Sequence, residues 1–141
     1  MRLQLALNVS DIDEAVEFYS RLFGAEPAKR RPGYANFAID EPPLKLVLFE
    51  AGPDPDGTAG CCAPGGTINH LGVETETAEE VADAERRMTG AGLVTTGVDD
   101  TLCCYATKTE TWVTDPDGTA WEWYVRTGDS EILENVVVAS R

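Results

Sequence analysis

The stretch LQLALNV, from Leu3 to Val9, alternates large apolar residues with small or polar ones. This alternation is typical of a β-strand that packs one face against a core. Apolar residues then recur at helical spacing between Ser10 and Gly24, which predicts an amphipathic helix capped by Ser10 and stopped by Gly24. Further strands are predicted at Tyr34 to Ile39 and at Leu44 to Phe49, giving the order strand, helix, strands.

The same order recurs in the second half of the chain. A strand is predicted over Ile68 to Thr75, and Thr77 with Glu80 three residues later has the pattern of a helix capping box. Gly90 and Gly92 are predicted to end that helix. Because the order of elements repeats, the sequence indicates a duplicated unit. The strands predicted after the second helix are Leu93 to Val98, Tyr105 to Thr114 and Ala120 to Val125.

The chain has 141 residues, of which 43% are hydrophobic, enough for one compact domain over residues 1–141. We predict module one at about residues 1–52, a connecting loop rich in Gly, Pro and Asp at about 53–67, and module two at about 68–126. The C-terminal tail, residues 127–141, contains Val136-Val137-Val138 and is compatible with an edge strand, a dimer arm or disorder.

Charge excludes several classes of partner. Eleven basic and 25 acidic residues give a formal charge of −14, which opposes binding to nucleic acid or to an anionic membrane surface. The basic run from Lys29 to Arg31 is predicted to be a solvated loop. No segment has the roughly 20 apolar residues of a membrane span, and the N-terminus lacks a signal core. We therefore expect a cytoplasmic protein, which suits unpaired thiols.

All four cysteines occur as the adjacent pairs Cys61-Cys62 and Cys103-Cys104. Neighbouring α-carbons lie about 3.8 Å apart, below the usual disulfide range of roughly 4.4 to 6.8 Å, so neither pair closes readily on itself. A reduced pair could chelate a thiophilic centre. The spacing disfavours a zinc finger, whose cysteines are separated by two to about four residues. The alternative is that these cysteines are small buried hydrophobic residues.

Three polar residues are predicted to lie opposite bulky apolar faces of their strands: Gln4, His70 and Glu122. If the sheets of the two halves form one cup, these side chains could converge. One imidazole, one carboxylate and one amide oxygen are similar to the three-ligand arrangement of non-haem iron. The chain has a single histidine, so Gln4 would stand where a second imidazole is expected. Each residue taken alone is better explained by an ordinary structural role, and it is their joint placement on the duplicated strands that favours a site.

The chain resembles the vicinal oxygen chelate superfamily along nearly its whole length. The resemblance lies in Leu5 to Val9 with the following helix, in Asn69 to Val73, and in Asp115 to Gly118 running into Trp121 to Tyr124. It implies an α+β fold of two tandem βαβββ modules whose mixed sheets form a metal-binding cup.

Three further segments resemble the branch that contains the cadmium-induced proteins and the bacterial carbon-arsenic lyases: Arg30 to Phe37, Pro42 to Leu46 and Cys103 to Tyr105. The lyases of that branch demethylate or dearylate trivalent organoarsenicals with Fe(II) and molecular oxygen and release arsenite, and the resemblance implies the same activity here. Carried over residue by residue, the resemblance implies that Gln4, His70 and Glu122 form the metal-binding and catalytic set. It likewise implies that Cys103 and Cys104 bind the arsenic of a small-molecule substrate. Cys61 and Cys62 receive no role, and homodimerisation stays open.

Two other functions compete with the lyase. The same fold could sequester a soft metal or an arsenical without turnover. Glyoxalase-type isomerisation on nickel or zinc is a third candidate, but it commonly uses an acidic ligand from the first module. The matching strand, Leu44 to Phe49, has no carboxylate, and Glu50 lies at its very end.

Overall fold

The structure, a computed structural model, describes residues 1–50 and 67–141. It divides into two compact units, Arg2–His70 and Leu71–Arg141, with Met1 belonging to the second. Each unit contains a helix and a mixed sheet, so the prediction of an α+β fold with two βαβββ modules is confirmed. The adjacent cysteines Cys61 and Cys62, and most of the predicted connecting loop, lie outside the described residues.

The first unit is a four-stranded sheet with one helix. Its strands lie in the order β2-β3-β4-β1, with β1 parallel to β4 and the other neighbours antiparallel. The first residues of β5 also belong to this unit, where Asn8 N donates to Thr67 O at 2.8 Å. The elements are β1 (Arg2–Val9), α1 (Ile12–Phe23), β2 (Lys29–Arg31), β3 (Tyr34–Ile39), β4 (Leu44–Glu50) and the start of β5 (Ile68–Glu74).

Helix α1 covers one face of this sheet because the alternation of β1 and β4 presents leucines to it. The buried cluster joins Ile12 and Val16 of α1 to apolar residues of β1, β3 and β4. Gln4 and its same-face neighbours point to the opposite side, as predicted. The sheet residues of the cluster are Leu7, Ala35, Phe37, Ile39, Leu46 and Leu48.

The residue that caps α1 differs from the predicted one. The N-cap is Asp11, whose Oδ1 accepts a hydrogen bond from Glu14 N at 3.0 Å, whereas Ser10 precedes the cap. Both residue types are strong caps, and the sequence pattern offers two overlapping solutions that differ by one position. Gly24 ends the helix with a φ of +62°, as predicted.

The second unit has a five-stranded sheet in the order β5-β8-β7-β6-β9. Strand β5 is parallel to β8 and the other neighbours are antiparallel. Helix α2 packs on β7 and β8, and its capping box of Thr77 and Glu80 is formed as predicted. After β5 come α2 (Ala78–Gly90), β6 (Asp99–Cys103), β7 (Ala106–Thr114), β8 (Ala120–Asp129) and β9 (Val136–Ser140).

Two local predictions are wrong. The segment Leu93 to Val98 forms no strand beyond an isolated bridge at Thr95, and the strand begins instead at Asp99. Leu93 and Val94 are 50% and 88% exposed, so their apolar character does not mark a packed face. The basic run Lys29–Arg31 is an edge strand, because pairing with β3 orders it.

Of the three alternatives for the C-terminal tail, the structure shows the edge strand. Strand β9 pairs with β6 at the edge of the second unit, and all five of its residues are exposed. Within the described residues, neither helix has both the length and the apolar character needed to span a bilayer.

Replacing Asp11 with alanine should lower the free energy of unfolding by about 1 kcal/mol, because Glu14 N loses its acceptor. The adjacent substitution Ser10→Ala should change it by less than about 0.5 kcal/mol, since that exposed side chain does not cap the helix. Urea unfolding of both variants measures the difference. A larger cost for Ser10→Ala than for Asp11→Ala would contradict the assigned cap.

Candidate metal centre and dithiol hairpin

The structure brings two of the predicted metal ligands together in the first unit. Gln4 on β1 and His70 on β5 are 4% and 2% exposed, and Gln4 Nε2 lies 2.9 Å from His70 Nε2. The pair is 66 residues apart in sequence, so only the fold creates it. Two buried nitrogen- and oxygen-bearing side chains thus meet at one point of the sheet.

A chain of amides fixes the tautomer of His70. Asn69 Nδ2 donates to Asn8 Oδ1 at 3.0 Å, which leaves Asn69 Oδ1 as an acceptor 2.8 Å from His70 Nδ1. His70 Nδ1 therefore carries the ring proton, and Nε2 presents its lone pair to the Gln4 amide. Metal-binding histidines are commonly oriented in this way through their second nitrogen.

The third predicted ligand, Glu122, lies in the second unit and is fully buried. Its Oε1 accepts a hydrogen bond from Lys108 Nζ at 2.9 Å. The lysine is also buried and lies 4.7 Å from the centre of the Tyr124 ring. A buried carboxylate without a counter-charge is strongly destabilising, so this ion pair is what permits Glu122 to be buried in the ionised state.

The charges around Lys108 oppose the effect of burial on it. Burial lowers the pKa of the Lys108 ammonium, but the negative charge of Glu122, together with electrostatic contributions from the Cys104 and Cys103 sulfurs, outweighs burial and holds that pKa well above its usual range. The Cys103–Cys104 pair therefore lies within the electrostatic reach of a buried cation. A cation near a thiol favours the thiolate, which is the form that binds soft metals and arsenic.

Glu110 is the second buried carboxyl group of this unit. Burial and the negative charge of Glu122 raise the pKa of Glu110 to about 8, against the lowering effect of Lys108. At neutral pH, Glu110 is therefore mainly a neutral acid. The same causes, burial followed by the charge of Glu122, raise the pKa of the Tyr124 hydroxyl well above its usual value. Glu122 is thus the carboxylate that carries the charge of the cluster.

Cys103 is the last residue of β6, and Cys104 is the first central residue of the hairpin turn that leads to β7. Both cysteines are buried and reduced, and their sulfur atoms lie 3.0 Å apart. Cys104 and Tyr105 are the two central residues of the turn, with φ values of +55° and +61°. This is the pattern of a type I′ turn, which usually requires glycine, asparagine or aspartate.

The segment that follows β8 holds this unusual turn in place. Cys104 N donates to Leu133 O and Tyr105 N to Ile132 O, both at 2.9 Å, and Ser130 N donates to Tyr105 O at 3.0 Å. Left-handed conformations of non-glycine residues cost on the order of 1 to 3 kcal/mol each and persist only where surrounding contacts impose them. Such strain clusters at binding sites, so the hairpin is a candidate site by its backbone as well as by its sulfurs.

Gln4 and His70 of the first unit offer donor atoms of the kind that a divalent transition metal takes. Among the described residues, no three histidine, cysteine, aspartate or glutamate side chains lie close enough to share an ion, and the predicted set includes an amide instead. His70 Nε2 has the correct tautomer, and a rotation of the Gln4 amide would present its oxygen beside that nitrogen. Imidazole with oxygen ligands suits iron, manganese, nickel or zinc.

Glu50, the acidic residue considered as a fourth ligand, has a structural partner. Its Oε2 accepts a hydrogen bond from Ile12 N, the first residue of α1, at 2.9 Å. A carboxylate at a helix N-terminus is stabilising. This role supports the sequence argument against a glyoxalase-type ligand set.

Sequence reasoning missed Lys108 and Glu110. The two residues are two positions apart in a segment predicted as a strand, so their side chains lie on the same face. The register of β7 against β8 places that face beside Glu122 and Tyr124. Opposite charges spaced two apart, beginning four residues after Cys104, were the available signal.

The two tandem βαβββ units define the fold class of the protein. Residues 3–123 match the model of the Glyoxalase/Bleomycin resistance protein/Dioxygenase superfamily, and the chain belongs to that superfamily. A Mn(II)-bound glyoxalase from Novosphingobium aromaticivorans has a similar fold, with a TM-score of 0.60 at 18% identity over 92% of this chain and 40% of that one.

Two curated proteins are similar to this chain in sequence over most of its length. The chain is 56% identical over 130 residues to the cadmium-induced protein CadI of Mycobacterium tuberculosis, covering 92% of this chain and 79% of CadI. It is 52% identical over 132 residues to the trivalent organoarsenical cleaving enzyme of Thermomonospora curvata, covering 94% of this chain and 82% of that enzyme.

Substituting Lys108 with methionine should lower the free energy of unfolding by about 3 to 5 kcal/mol at neutral pH, because Glu122 is left buried without its counter-charge. Chemical unfolding of the metal-free protein measures the change. Adding Glu122→Gln to Lys108→Met should recover part of the loss, since the second change removes the unpaired charge.

The matched control is Arg86→Met, which removes an exposed cation paired with Asp83 on α2. That change should cost less than about 1 kcal/mol. Equal effects of Lys108→Met and Arg86→Met would show that the buried pair contributes no more than a surface pair.

Proposed function

We propose that this protein is an Fe(II)- and O2-dependent carbon-arsenic lyase that acts on trivalent organoarsenicals and releases arsenite. The observation that carries the proposal is the buried Cys103–Cys104 dithiol, with sulfur atoms 3.0 Å apart, in a chain 52% identical to a trivalent organoarsenical cleaving enzyme. Trivalent arsenic is a soft acid that two thiolates can hold at once.

Gln4, His70 and Glu122 would hold the metal, and the cup formed by the two modules is part of this proposal. The His70 tautomer and the Gln4 contact support an ion beside His70 Nε2. Ferrous iron bound there would supply the activation of dioxygen. Lys108 would keep Glu122 ionised while the site awaits its metal.

The dithiol would bind and orient the substrate. Two sulfur ligands fix arsenic with little freedom, which converts a loose encounter between the organic group and the metal into an oriented one. The strained backbone at Cys104 and Tyr105 holds the thiols in one arrangement before substrate arrives. The ammonium of Lys108 would interact favourably with a sulfur that is deprotonated when it binds arsenic.

The simplest substrate balances without an external reductant. Methylarsonous acid, CH3As(OH)2, and one O2 contain the same atoms as formaldehyde and As(OH)3. The carbon-arsenic and oxygen-oxygen bonds break, and carbon supplies the four electrons that reduce dioxygen while arsenic stays trivalent. One dioxygen should therefore be consumed for each arsenite released.

Cytoplasmic location and the absence of nucleic-acid and membrane partners remain predictions, and a homodimer is one open alternative. The organoarsenical is proposed as the small-molecule partner, with dioxygen as co-substrate.

Aerobic incubation of the ferrous protein with methylarsonous acid should release many equivalents of arsenite per chain, measured by chromatography with arsenic detection. His70→Ala should reduce the rate by at least about 100-fold, because the metal loses its imidazole. Asp11→Ala, which perturbs only a helix cap, controls for a general loss of stability. Full activity of the His70→Ala protein would rule out the proposed metal site.

Sequestration is the second candidate, favoured by the burial of both thiols, because stoichiometric binding needs no path for turnover. It predicts arsenite release that never exceeds one equivalent per chain in excess oxygen and iron. Multiple turnovers would reject it.

Cys103→Ser and Cys104→Ser should each weaken arsenical binding by at least about tenfold, since one sulfur ligand is lost, while metal affinity stays within about twofold of the unaltered protein. Equilibrium dialysis against arsenical and against Mn(II) measures the two affinities. A double Cys61→Ser, Cys62→Ser variant removes the same chemical groups elsewhere and should retain arsenical binding. Loss of binding in that control with full binding in the first two would transfer the role to the other pair.

A further inference from the structure

Asn36 carries a buried hydrogen-bond acceptor that its surroundings do not use. The residue lies on β3 and is 6% exposed. Its Nδ2 donates to Tyr34 Oη at 3.0 Å, whereas Oδ1 is buried and has no donor among the described residues. Buried polar atoms are nearly always paired, and an unpaired one is a costly feature that calls for a physical reason.

Strand register places this acceptor on the face that carries Gln4. Asn36 is opposite Val47, which is opposite Ala6, while Gln4 is opposite Lys45 in the neighbouring row. Directly paired residues project to the same side of a sheet, and so do residues two apart. Asn36 therefore faces away from α1, on the side of the proposed metal ligand.

Aromatic rings connect Asn36 to the candidate metal centre. The ring of Phe49 lies 6.4 Å from that of His70 and 5.5 Å from that of Tyr34, and Tyr34 Oη contacts the Asn36 amide. Aromatic faces and edges bind flat organic groups with specific geometry. A continuous series of contacts therefore runs from the imidazole of the candidate metal centre, through two aromatic rings, to the buried acceptor of Asn36.

We propose that Asn36 Oδ1 is a specificity-determining group that accepts a hydrogen bond from an amino or hydroxyl substituent on the organic part of the substrate. The proposal rests on the proposed function and specifies which organoarsenicals it favours. A site with a buried unpaired acceptor strongly prefers a ligand with a donor over one without, because the second leaves the acceptor unsatisfied.

The test compares 4-aminophenylarsonous acid with phenylarsonous acid, which differ in one hydrogen-bond donor. In the unaltered ferrous protein, kcat/KM for the amino compound should be at least about tenfold higher. Asn36→Leu, of similar size and without the acceptor, should bring the ratio to about one. Mn(II) affinity should stay within about twofold, which separates specificity from metal binding.

Thr111→Val is the matched control. Thr111 Oγ1 is also buried without a partner among the described residues, but it lies on β7 directly opposite Trp123, whose ring contacts Arg87 of α2. The change removes the same kind of atom on the helix side of the second unit. The ratio of the two substrates should not change in this variant.

Failure of this inference is distinguishable from failure of the proposed function. If the unaltered protein releases no arsenite from either compound, the lyase proposal fails. The preference for the amino compound over phenylarsonous acid is then measured as the ratio of their dissociation constants, determined by equilibrium dialysis. A ratio below about threefold in the unaltered protein overturns the role of Asn36 whatever the variants do. The role of Asn36 is also overturned if the ratio in Asn36→Leu is the same as in the unaltered protein. If the leucine variant does not fold, the same comparison is made with Asn36→Ser.

Discussion

A fully buried carboxylate is the constraint on which the second unit depends. Glu122 has no access to water, and its charge must be balanced from within the sheet. Lys108 supplies that balance at 2.9 Å, and the same ammonium interacts electrostatically with the two cysteine sulfurs. Burial and the charge of Glu122 together raise the pKa of Glu110 to about 8, so Glu110 is mainly protonated at neutral pH. Burial and this one negative charge thus act together on the protonation of the groups around Glu122.

In the first unit, neutral amide groups orient the buried imidazole of His70. His70 is held by a sequence of amide contacts from Asn8 through Asn69 to its Nδ1, and Gln4 meets its Nε2. A second imidazole in place of Gln4 would add a titratable group to this buried network, whereas an amide adds none. The amide can also present either a donor or an acceptor by rotation. It can therefore satisfy His70 without metal and contribute an oxygen ligand with metal.

Strand alternation made much of this arrangement predictable. A period of two places Gln4 opposite the leucines of β1 and Glu122 opposite Trp121 and Trp123, whatever the details of packing. Local ambiguity explains the misses, since Ser10 and Asp11 are equally good caps and only the final helix register selects Asp11. Lys108 was overlooked because charged residues are usually solvated. Its burial is decided by the partner strand, 14 residues further along the chain.

The cysteine pair shows why a motif alone does not specify a site. Adjacent residues on an extended strand point to opposite faces, which would separate two neighbouring thiols. Here the chain turns at Cys104, and the positive φ values there and at Tyr105 accompany a separation of 3.0 Å between the sulfurs. Neither residue type favours that backbone, so its stability must come from elsewhere. The backbone hydrogen bonds to Ser130, Ile132 and Leu133 supply it, and the geometry of the dithiol therefore depends on a segment about 30 residues away along the chain.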